Sequence, residues 1–300
     1  MKGVLLAGGH GTRLGPLTGA LSKQLLPVYN KPMVFYPLSV LMLAGIRQIL
    51  LISTPRHLPL FQDTLGDGAD FGIELTYTEQ AEPVGLAQAF LLKPDFHNGD
   101  TTCLILGDNL IYGSGLRATL RLAREQVESG GAVIFGYPVR DPERYGVVEL
   151  DAEGHAVDLQ EKPKHPRSHL AVPGLYFYDR TVTQRAAALQ RPVGGELEIT
   201  DLNRTYLADD TLHVRVWGRG MTWLDAGTHD SLLEAGQFVQ TVESRQATMI
   251  GCPEEVGFRQ GWLDMWRLRR RAEANPNAYG AYLRRLADME AGDHTHNIWV

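Results

Sequence analysis

The stretch Lys2–Pro27 reads KGVLLAGGHGTRLGPLTGALSKQLLP, and the rest of the chain is understood from it. The apolar run Gly3–Leu6 has the character of a buried strand. It empties at once into Gly8, Gly9 and Gly11, followed by Thr12 and Arg13 and, further on, Lys23. Glycines at a strand end let the backbone come close to a ligand, so that successive N–H groups point at anionic oxygens, and a guanidinium close behind can grip them in a fork. This is the pattern of a phosphate cradle with cations. Two commoner glycine loops do not fit. A P-loop ends in Gly-Lys-Ser/Thr, and here the corresponding place is Gly11-Thr12-Arg13. A dinucleotide fingerprint starts correctly at Gly9-His10-Gly11, but its third glycine is Leu14, and the basic Asn30-Lys31-Pro32 stands where a ribose-binding acid is expected. A tight turn after a first strand would account for the glycines alone; Arg13 and Lys23 together favour the cradle.

Outward from the cradle, Met33–Ala44 has helical spacing of apolar residues and Ile49–Ser53 is a continuous apolar run, which completes a β-α-β unit and implies a parallel sheet. A short helix is expected over Leu60–Leu65 and a strand over Glu74–Thr78. A turn through Pro83 and Gly85 then opens a helix and places backbone donors at the sheet edge, where open α/β sheets bind ligands. Thr101–Leu106 is another buried strand, and it delivers Gly107-Asp108-Asn109 at its carboxyl end. A carboxylate there suits Mg²⁺, although an Asp-Asn pair by itself is more often a turn or a cap.

The rhythm changes after the helix Leu116–Ser129 and the strand Ala132–Val139. A hairpin is expected from Val147–Leu150 and Ala156–Leu159, so the second half adds antiparallel strands over the ligand site. Glu161-Lys162-Pro163 follows, alone an ordinary exposed charge pair. Next come an aromatic strand, Val172–Tyr178, a loop at Gly194-Gly195-Glu196 leading into a helix with acids in its first turn, and a strand over Leu212–Trp217. Asp225, shortly before Gly227, is taken alone as readily an Asx turn as a ligand. From His229 onward the chain reads as mostly helical, including Trp262–Ala274 and Tyr279–Leu286. The run Arg269-Arg270-Arg271 lies among acids and reads as a solvated helix face or subunit contact, and the tail histidines His294 and His296 as binding nothing.

Composition narrows the class. The 300 residues, 44% hydrophobic, are ample for a large core. A formal net charge of -6 argues against general nucleic-acid binding and leaves anionic small substrates to a local cationic cluster, which the opening supplies. Cys103 and Cys252 stand far apart with no CxxC, as expected for buried thiols in a reducing compartment. No signal peptide is expected, and the long apolar segment Leu38–Ile52 is broken by Gly45, Arg47 and Gln48, so it does not span a membrane.

LAGGHGTRLGPLT followed by SKQLLPVYNKPM closely resembles the signature of the sugar nucleotidyltransferases, in particular the bacterial glucose-1-phosphate thymidylyltransferases. The resemblance implies a Rossmann-like α/β fold with a mixed, largely parallel sheet flanked by helices. Residues 1–228 would form the catalytic core with its sugar-binding subregion, and residues 229–300 a helical region for subunit contacts. It implies that Leu6, Ala7, Gly8, Gly9, Gly11, Thr12, Arg13, Gln24, Gln80 and Gly85 bind the nucleotide, with Gln80 reading the pyrimidine edge and Gly85 offering backbone. Asn109, Tyr145, Gly146, Glu161, Lys162, Val172, Tyr176 and Trp223 would line the sugar-phosphate pocket, and Asp108 and Asp225 would hold Mg²⁺. Arg13, Lys23, Lys162, Asp108 and Asp225 are the expected catalytic set. An outer regulatory nucleotide site would involve Tyr112, Gly113, Arg219 and Arg259, with Met249 near where some relatives carry lysine. The chain departs from the pattern at His10, at Gly15, and at Gln160, where many members have a second acid.

The implied reaction is attack of glucose 1-phosphate on the α-phosphorus of dTTP, giving dTDP-glucose and pyrophosphate, the first step toward dTDP-sugars such as dTDP-rhamnose. A cytoplasmic homotetramer, a dimer of dimers, is the family's habit. A phosphate monoester with its second pKa near ~6 is already mostly ionised at neutral pH, so no general base is needed. The difficulty is uniting two anions of combined charge roughly -6, which is work for positioned cations. UTP or another hexose phosphate in place of dTTP or glucose 1-phosphate remains open. A non-catalytic nucleotide-sugar sensor would be expected to lose a charged residue, and all five are present.

Overall fold

The computed structural model describes residues 1–9, 11–192 and 195–292. His10, Gly194 of the loop before the acidic helix, and the tail with His294 and His296 lie outside the described residues.

In chain order the elements are β1 (Lys2–Leu6), β2 (Pro27–Val28), β3 (Lys31–Pro32), α1 (Phe35–Leu43), β4 (Gln48–Ser53), α2 (Leu58–Leu65), β5 (Glu74–Glu79), α3 (Pro94–His97), β6 (Thr102–Leu106), β7 (Asn109–Gly113) and α4 (Leu116–Glu128). There follow β8 (Ala132–Pro138), β9 (Gly146–Leu150), β10 (Ala156–Glu161), β11 (Leu170–Ala171), β12 (Leu175–Tyr178), α5 (Val182–Ala188), α6 (Ile199–Ala208), β13 (Leu212–Val216) and β14 (Met221–Asp225). The C-terminal helices are α7 (His229–Gln246), α8 (Pro253–Arg259), α9 (Met265–Ala274) and α10 (Ala278–Gly292).

Ten strands form one sheet in the order β10-β9-β11-β8-β12-β6-β1-β4-β5, with β13 also paired to β8. Its N-terminal half is parallel: β1 lies between β4 and β6, and β5 flanks β4. Strand β12 runs antiparallel between β6 and β8, and the β9–β10 hairpin extends the sheet beyond β11. Thus β1, β4, β5, β6, β8, β9 and β13 point one way and only β10, β11 and β12 the other. The pleat of β1 explains its unbroken apolar sequence. Leu5 and Ala7 face one core with α1, α2 and α4, whereas Val4 and Leu6 face a second core with Phe90, Leu202 and Tyr206. A strand covered on both faces by helices has no polar side to show. Helix α1 is buried along nearly all its length because the sheet covers one side and α8 the other.

Two expectations need correction. The aromatic stretch 172–178 is not one strand but breaks between β11 and β12. Pro173 has no N–H for a ladder, and Gly174 directs its N–H to the Asn109 Oδ1 (2.9 Å) while its carbonyl accepts from the Leu106 N–H (2.9 Å). The segment after Gly85 forms a 3-10 stretch, Leu86–Phe90, in place of an α-helix. There the Ala87 N–H donates outward to the Leu197 carbonyl (3.1 Å).

Outside the main sheet, β7 and β14 make a two-stranded antiparallel ribbon that pairs Asn109 with Asp225 at one end and Gly113 with Met221 at the other. Helix α7 opens on a reciprocal cap between Thr228 and Ser231. Helices α9 and α10 enclose a small core around Leu268 and Leu283. The arginine run belongs to a charged face of α9: Arg269 meets Asp288, Arg271 meets Asp70 and Glu254, and Arg270 lies over Trp266. Among the described residues, no helix is long and apolar enough to cross a membrane.

Candidate active site

The glycine loop lies at the carboxyl end of β1, in the centre of the sheet, and lines a cavity of about 180 Å³ together with Arg13, Lys23, Gln24, Asp108 and Gly227. Gly9 and Gly11 have φ of 89° and 59°, a region that a side chain disfavours. Gly11 starts the 3-10 turn Thr12–Leu14, whose fully buried Leu14 anchors the exposed Arg13. Gln24 props the cradle from below, accepting from the Ser22 hydroxyl (2.6 Å) and donating to the Gly8 carbonyl (3.4 Å). The backbones of Leu6 and Ala7 are used internally. The Leu6 carbonyl accepts from the Gly107 N–H, the Ala7 N–H donates to Ile52, and the Ala7 carbonyl accepts from Ser53 (2.9 Å).

Gly107 brings the second strand end against the first. A Cβ there would lie 2.8 Å from Gln24 and 3.0 Å from the Leu6 carbonyl, so only glycine lets β6 deliver Asp108 beside the cradle. Asp108 is ion-paired with Lys23 and accepts from the Asn109 amide (2.9 Å). Burial alone would raise its pKa, but the Lys23 ammonium and these hydrogen bonds hold the carboxyl below its ordinary value. Asp225 goes the other way. Burial and the neighbouring Asp108 charge push it up, opposed by Arg144 and Lys23. Its oxygens face the Tyr145 hydroxyl, which donates at 3.3 Å, and the Arg144 guanidinium at 3.9 Å. A Cβ on Gly227 would lie 3.1 Å from the Arg13 guanidinium and 3.5 Å from Asp225, which fixes Arg13 and Asp225 on the same side of the cradle.

Around this centre stand the other residues that the resemblance singled out. Gln80 is buried against Gly8, where any Cβ would collide with its side-chain oxygen, and it donates to Gln88 (2.7 Å), which also accepts from the Val84 N–H (3.3 Å). On the other side, Glu161 accepts from the Thr200 hydroxyl (2.6 Å) and stands 3.2 Å from Lys162. Gly146 faces Glu161, Thr200 and Val172. Tyr176 is buried, with its hydroxyl pKa raised by burial and by the charges of Glu161 and Asp108. Lys162 has φ of 41° and remains mostly exposed. Asn109 and Trp223 are buried: the Asn109 Oδ1 accepts from the Trp223 indole (2.6 Å) and from Gly174, and its amide steadies Asp108.

The donor set fits a hard cation bound partly through substrate. Two carboxylates face the glycine loop, Asp108 on the wall of the cavity and Asp225 across Gly227 from Arg13. That matches Mg²⁺, which is commonly held by one or two carboxylates plus phosphate oxygens. A second, larger cavity of about 940 Å³ is bordered by Tyr112, Gly113, Met249, Glu255 and Arg259, with Gly220 on its wall in place of the expected Arg219.

Sequence reasoning missed Gly227, Gln88, Thr200 and Arg144. Gly227 and Arg144 each lie within two residues of a residue it singled out, but Gln88 and Thr200 carry only ordinary helix-start chemistry in sequence.

Residues 2–242 match the family model described as nucleotidyl transferase. The chain is 56% identical over 293 residues to the glucose-1-phosphate thymidylyltransferase of Xanthomonas campestris pv. campestris (strain B100), covering 97% of this chain and 98% of that protein. It is 55% identical over 291 residues to that of Mycolicibacterium smegmatis (97% and 100%). A crystal structure assigned as a glucose-1-phosphate thymidylyltransferase from Bacillus anthracis, in complex with sucrose, superposes with a TM-score of 0.73 at 38% identity, over 79% of this chain and 94% of that one. With identity of this extent along nearly its whole length, and a glycine-lined cavity bordered by Arg13, Lys23 and Asp108 at the centre of its sheet, the chain belongs to the nucleotidyl transferase family, among the glucose-1-phosphate thymidylyltransferases.

Proposed function

We propose that the protein condenses dTTP and glucose 1-phosphate to dTDP-glucose and pyrophosphate. The observation that carries this reading is the convergence of Arg13, Lys23 and Asp108 on one glycine-lined cavity, with Asp225 beside Arg13. The backbone N–H groups of the cradle and the Arg13 guanidinium receive the triphosphate. Lys23, paired with Asp108 in the free protein, turns its ammonium to the α-phosphate and the attacking phosphate, and Lys162 meets the sugar phosphate. These cations hold the attacking oxygen in line with the pyrophosphate leaving group, so that one P–O bond forms as the other breaks. The attacking phosphate is already ionised, and no residue has to take its proton. Asp108 and Asp225 would hold Mg²⁺, which supplies charge neutralisation on phosphate oxygens when bound. Gln80 reads the pyrimidine edge, and Glu161 accepts hydrogen bonds from sugar hydroxyls.

In the same reading the larger cavity is the outer nucleotide site, the working form is a cytoplasmic homotetramer, and the product feeds dTDP-sugar synthesis. The test is pyrophosphate release with Mg²⁺, glucose 1-phosphate and either dTTP or UTP, compared as kcat/KM. Preference for dTTP supports the assignment, equal or reversed preference moves it to a broader nucleotidyltransferase, and silence with every sugar phosphate refutes it.

A further inference from the structure

The turn that carries the nucleotide-side Gly85 is bonded to the segment that enters the sugar-side helix α6. The Leu197 N–H donates to the Val84 carbonyl at 2.7 Å, and the Leu197 carbonyl accepts from the Ala87 N–H at 3.1 Å. Between these bonds Gly85 adopts φ 121°, and any Cβ on it would collide with the Leu197 backbone. Gly85 is therefore required by two independent facts: a backbone conformation that a side chain disfavours and a contact that excludes one.

The clasp has a definite continuation on each side. Toward the nucleotide, Gln88 fixes the Val84 N–H and the Gln80 amide with the same oxygen. Toward the sugar, Glu198 follows Leu197 directly, its carboxyl pKa raised by burial and by the Glu161 charge. Two residues further, Thr200 donates to Glu161 at 2.6 Å and lies 3.4 Å from the position of a Cβ on Gly146. Leu197 thus has its main chain held by the nucleotide turn, and its immediate successors shape the acceptor pocket.

We infer that the Gly85–Leu197 clasp is a positioning element for the acceptor, by which the nucleotide turn sets the placement of Glu161 and Thr200 and so the discrimination among hexose 1-phosphates. This rests on the reading of the site as a sugar nucleotidyltransferase. A loop held by two backbone hydrogen bonds shifts when they are lost, and small displacements of positioning groups reduce productive binding steeply.

The experiment uses the full chain with Mg²⁺, dTTP, and glucose, galactose or mannose 1-phosphate, in wild type, Gly85→Ala, Gln88→Leu and Thr200→Val. Wild-type turnover tests the assigned activity by itself. In an active enzyme, Gly85→Ala and Gln88→Leu, both on the nucleotide side, should raise KM for glucose 1-phosphate at saturating dTTP on the order of tenfold. Both should also shrink the kcat/KM ratio between glucose and galactose 1-phosphates. A general loss of folded enzyme would lower all rates alike and leave that ratio unmoved. Gln88→Leu combined with Thr200→Val should give less than the product of their separate effects, because both act through one element. If Gly85→Ala fails to fold, Gln88→Leu carries the test. A rise in KM for dTTP alone, with acceptor KM and hexose ratio at wild-type values, would overturn the clasp while leaving the activity in place. A silent wild type would overturn the activity and the clasp together.

Discussion

Replacing Lys23 by Met separates what the Lys23–Asp108 pair does for the fold from what it does for the reaction. The side chains are 10% and 21% exposed, so removing the ammonium leaves a largely desolvated carboxylate without its cation. Breaking a buried pair in this way costs about 3–5 kcal/mol, and the partial access of water to Asp108 brings the expectation down to about 2–3 kcal/mol. For 300 residues the unfolding entropy is roughly 0.6 kcal/mol/K, so the melting temperature should fall by about 3–5 °C. The dependence on pH gives the sign. In the wild type the Asp108 pKa is depressed, so its contribution is present above the ordinary carboxylate value and lost as pH falls through the lower folded one. In Lys23→Met burial loses its main opposition and the carboxyl moves upward. Its penalty is then full at neutral pH and relieved on acidification. The gap between wild type and variant should therefore be widest near pH 7 and close toward pH 4. Adding Asp108→Asn should recover most of the stability, since neither charge then remains, while turnover stays roughly 10²–10³-fold below wild type. Thermal melts in EDTA between pH 4 and 8, with pyrophosphate release at pH 7.5, make the measurement. A single variant melting within about 1 °C of wild type at pH 7, or a double variant less stable than the single, would refute the reasoning.

Arg13→Ala should lower turnover by about 3 kcal/mol or more in the barrier, read as kcat/KM for dTTP; an unchanged value would remove Arg13 from the site's chemistry. Burial raises the Glu255 carboxyl to about 7, against the Tyr282 hydroxyl that donates to it at 2.5 Å. A raised folded pKa gives stability that is present below the ordinary value and lost as pH rises through about 7. Glu255→Gln should thus gain on the wild type in melts taken from pH 5 to pH 8, and a pH-independent difference would show that Glu255 does not titrate there. Trp223→Phe removes the 2.6 Å bond to Asn109 and should lower stability by about 1 kcal/mol, with a higher Mg²⁺ requirement as Asn109 releases Asp108. An unchanged Mg²⁺ titration would count against that second link.

The parts of this protein that could be read in its sequence are those whose cause is local. The strand before the glycines is legible because both its faces are covered, leaving no polar alternation to confuse it, and Asp108 because it follows such a strand directly. The pairing of Lys23 with Asp108 across 85 positions is not legible, since nothing near either residue names the other. Asn109 illustrates a different limit. Its amide could serve a sugar or the protein, and only the placement of Trp223 and Gly174 shows it bound within the protein. The break between β11 and β12 was signalled by Pro173-Gly174, but apolar and aromatic neighbours on both sides outweighed it. Leu197 lay beyond reach, because the backbone bonds it makes leave no trace in its own side chain.

The β7–β14 ribbon gives Asp108 and Asp225 a common mount. Asp108 immediately precedes β7, Asp225 ends β14, and the Ala226 N–H donates to the Asp108 carbonyl at 3.2 Å just past the ladder. The opposite end, roughly 14 Å away by strand rise, is Gly113 beside Gly220 on the wall of the larger cavity. Such a ribbon works as a yoke. The ladder that pairs Asn109 with Asp225 and the bond from Ala226 to Asp108 together fix the spacing of the two acids, so neither is placed independently of the other.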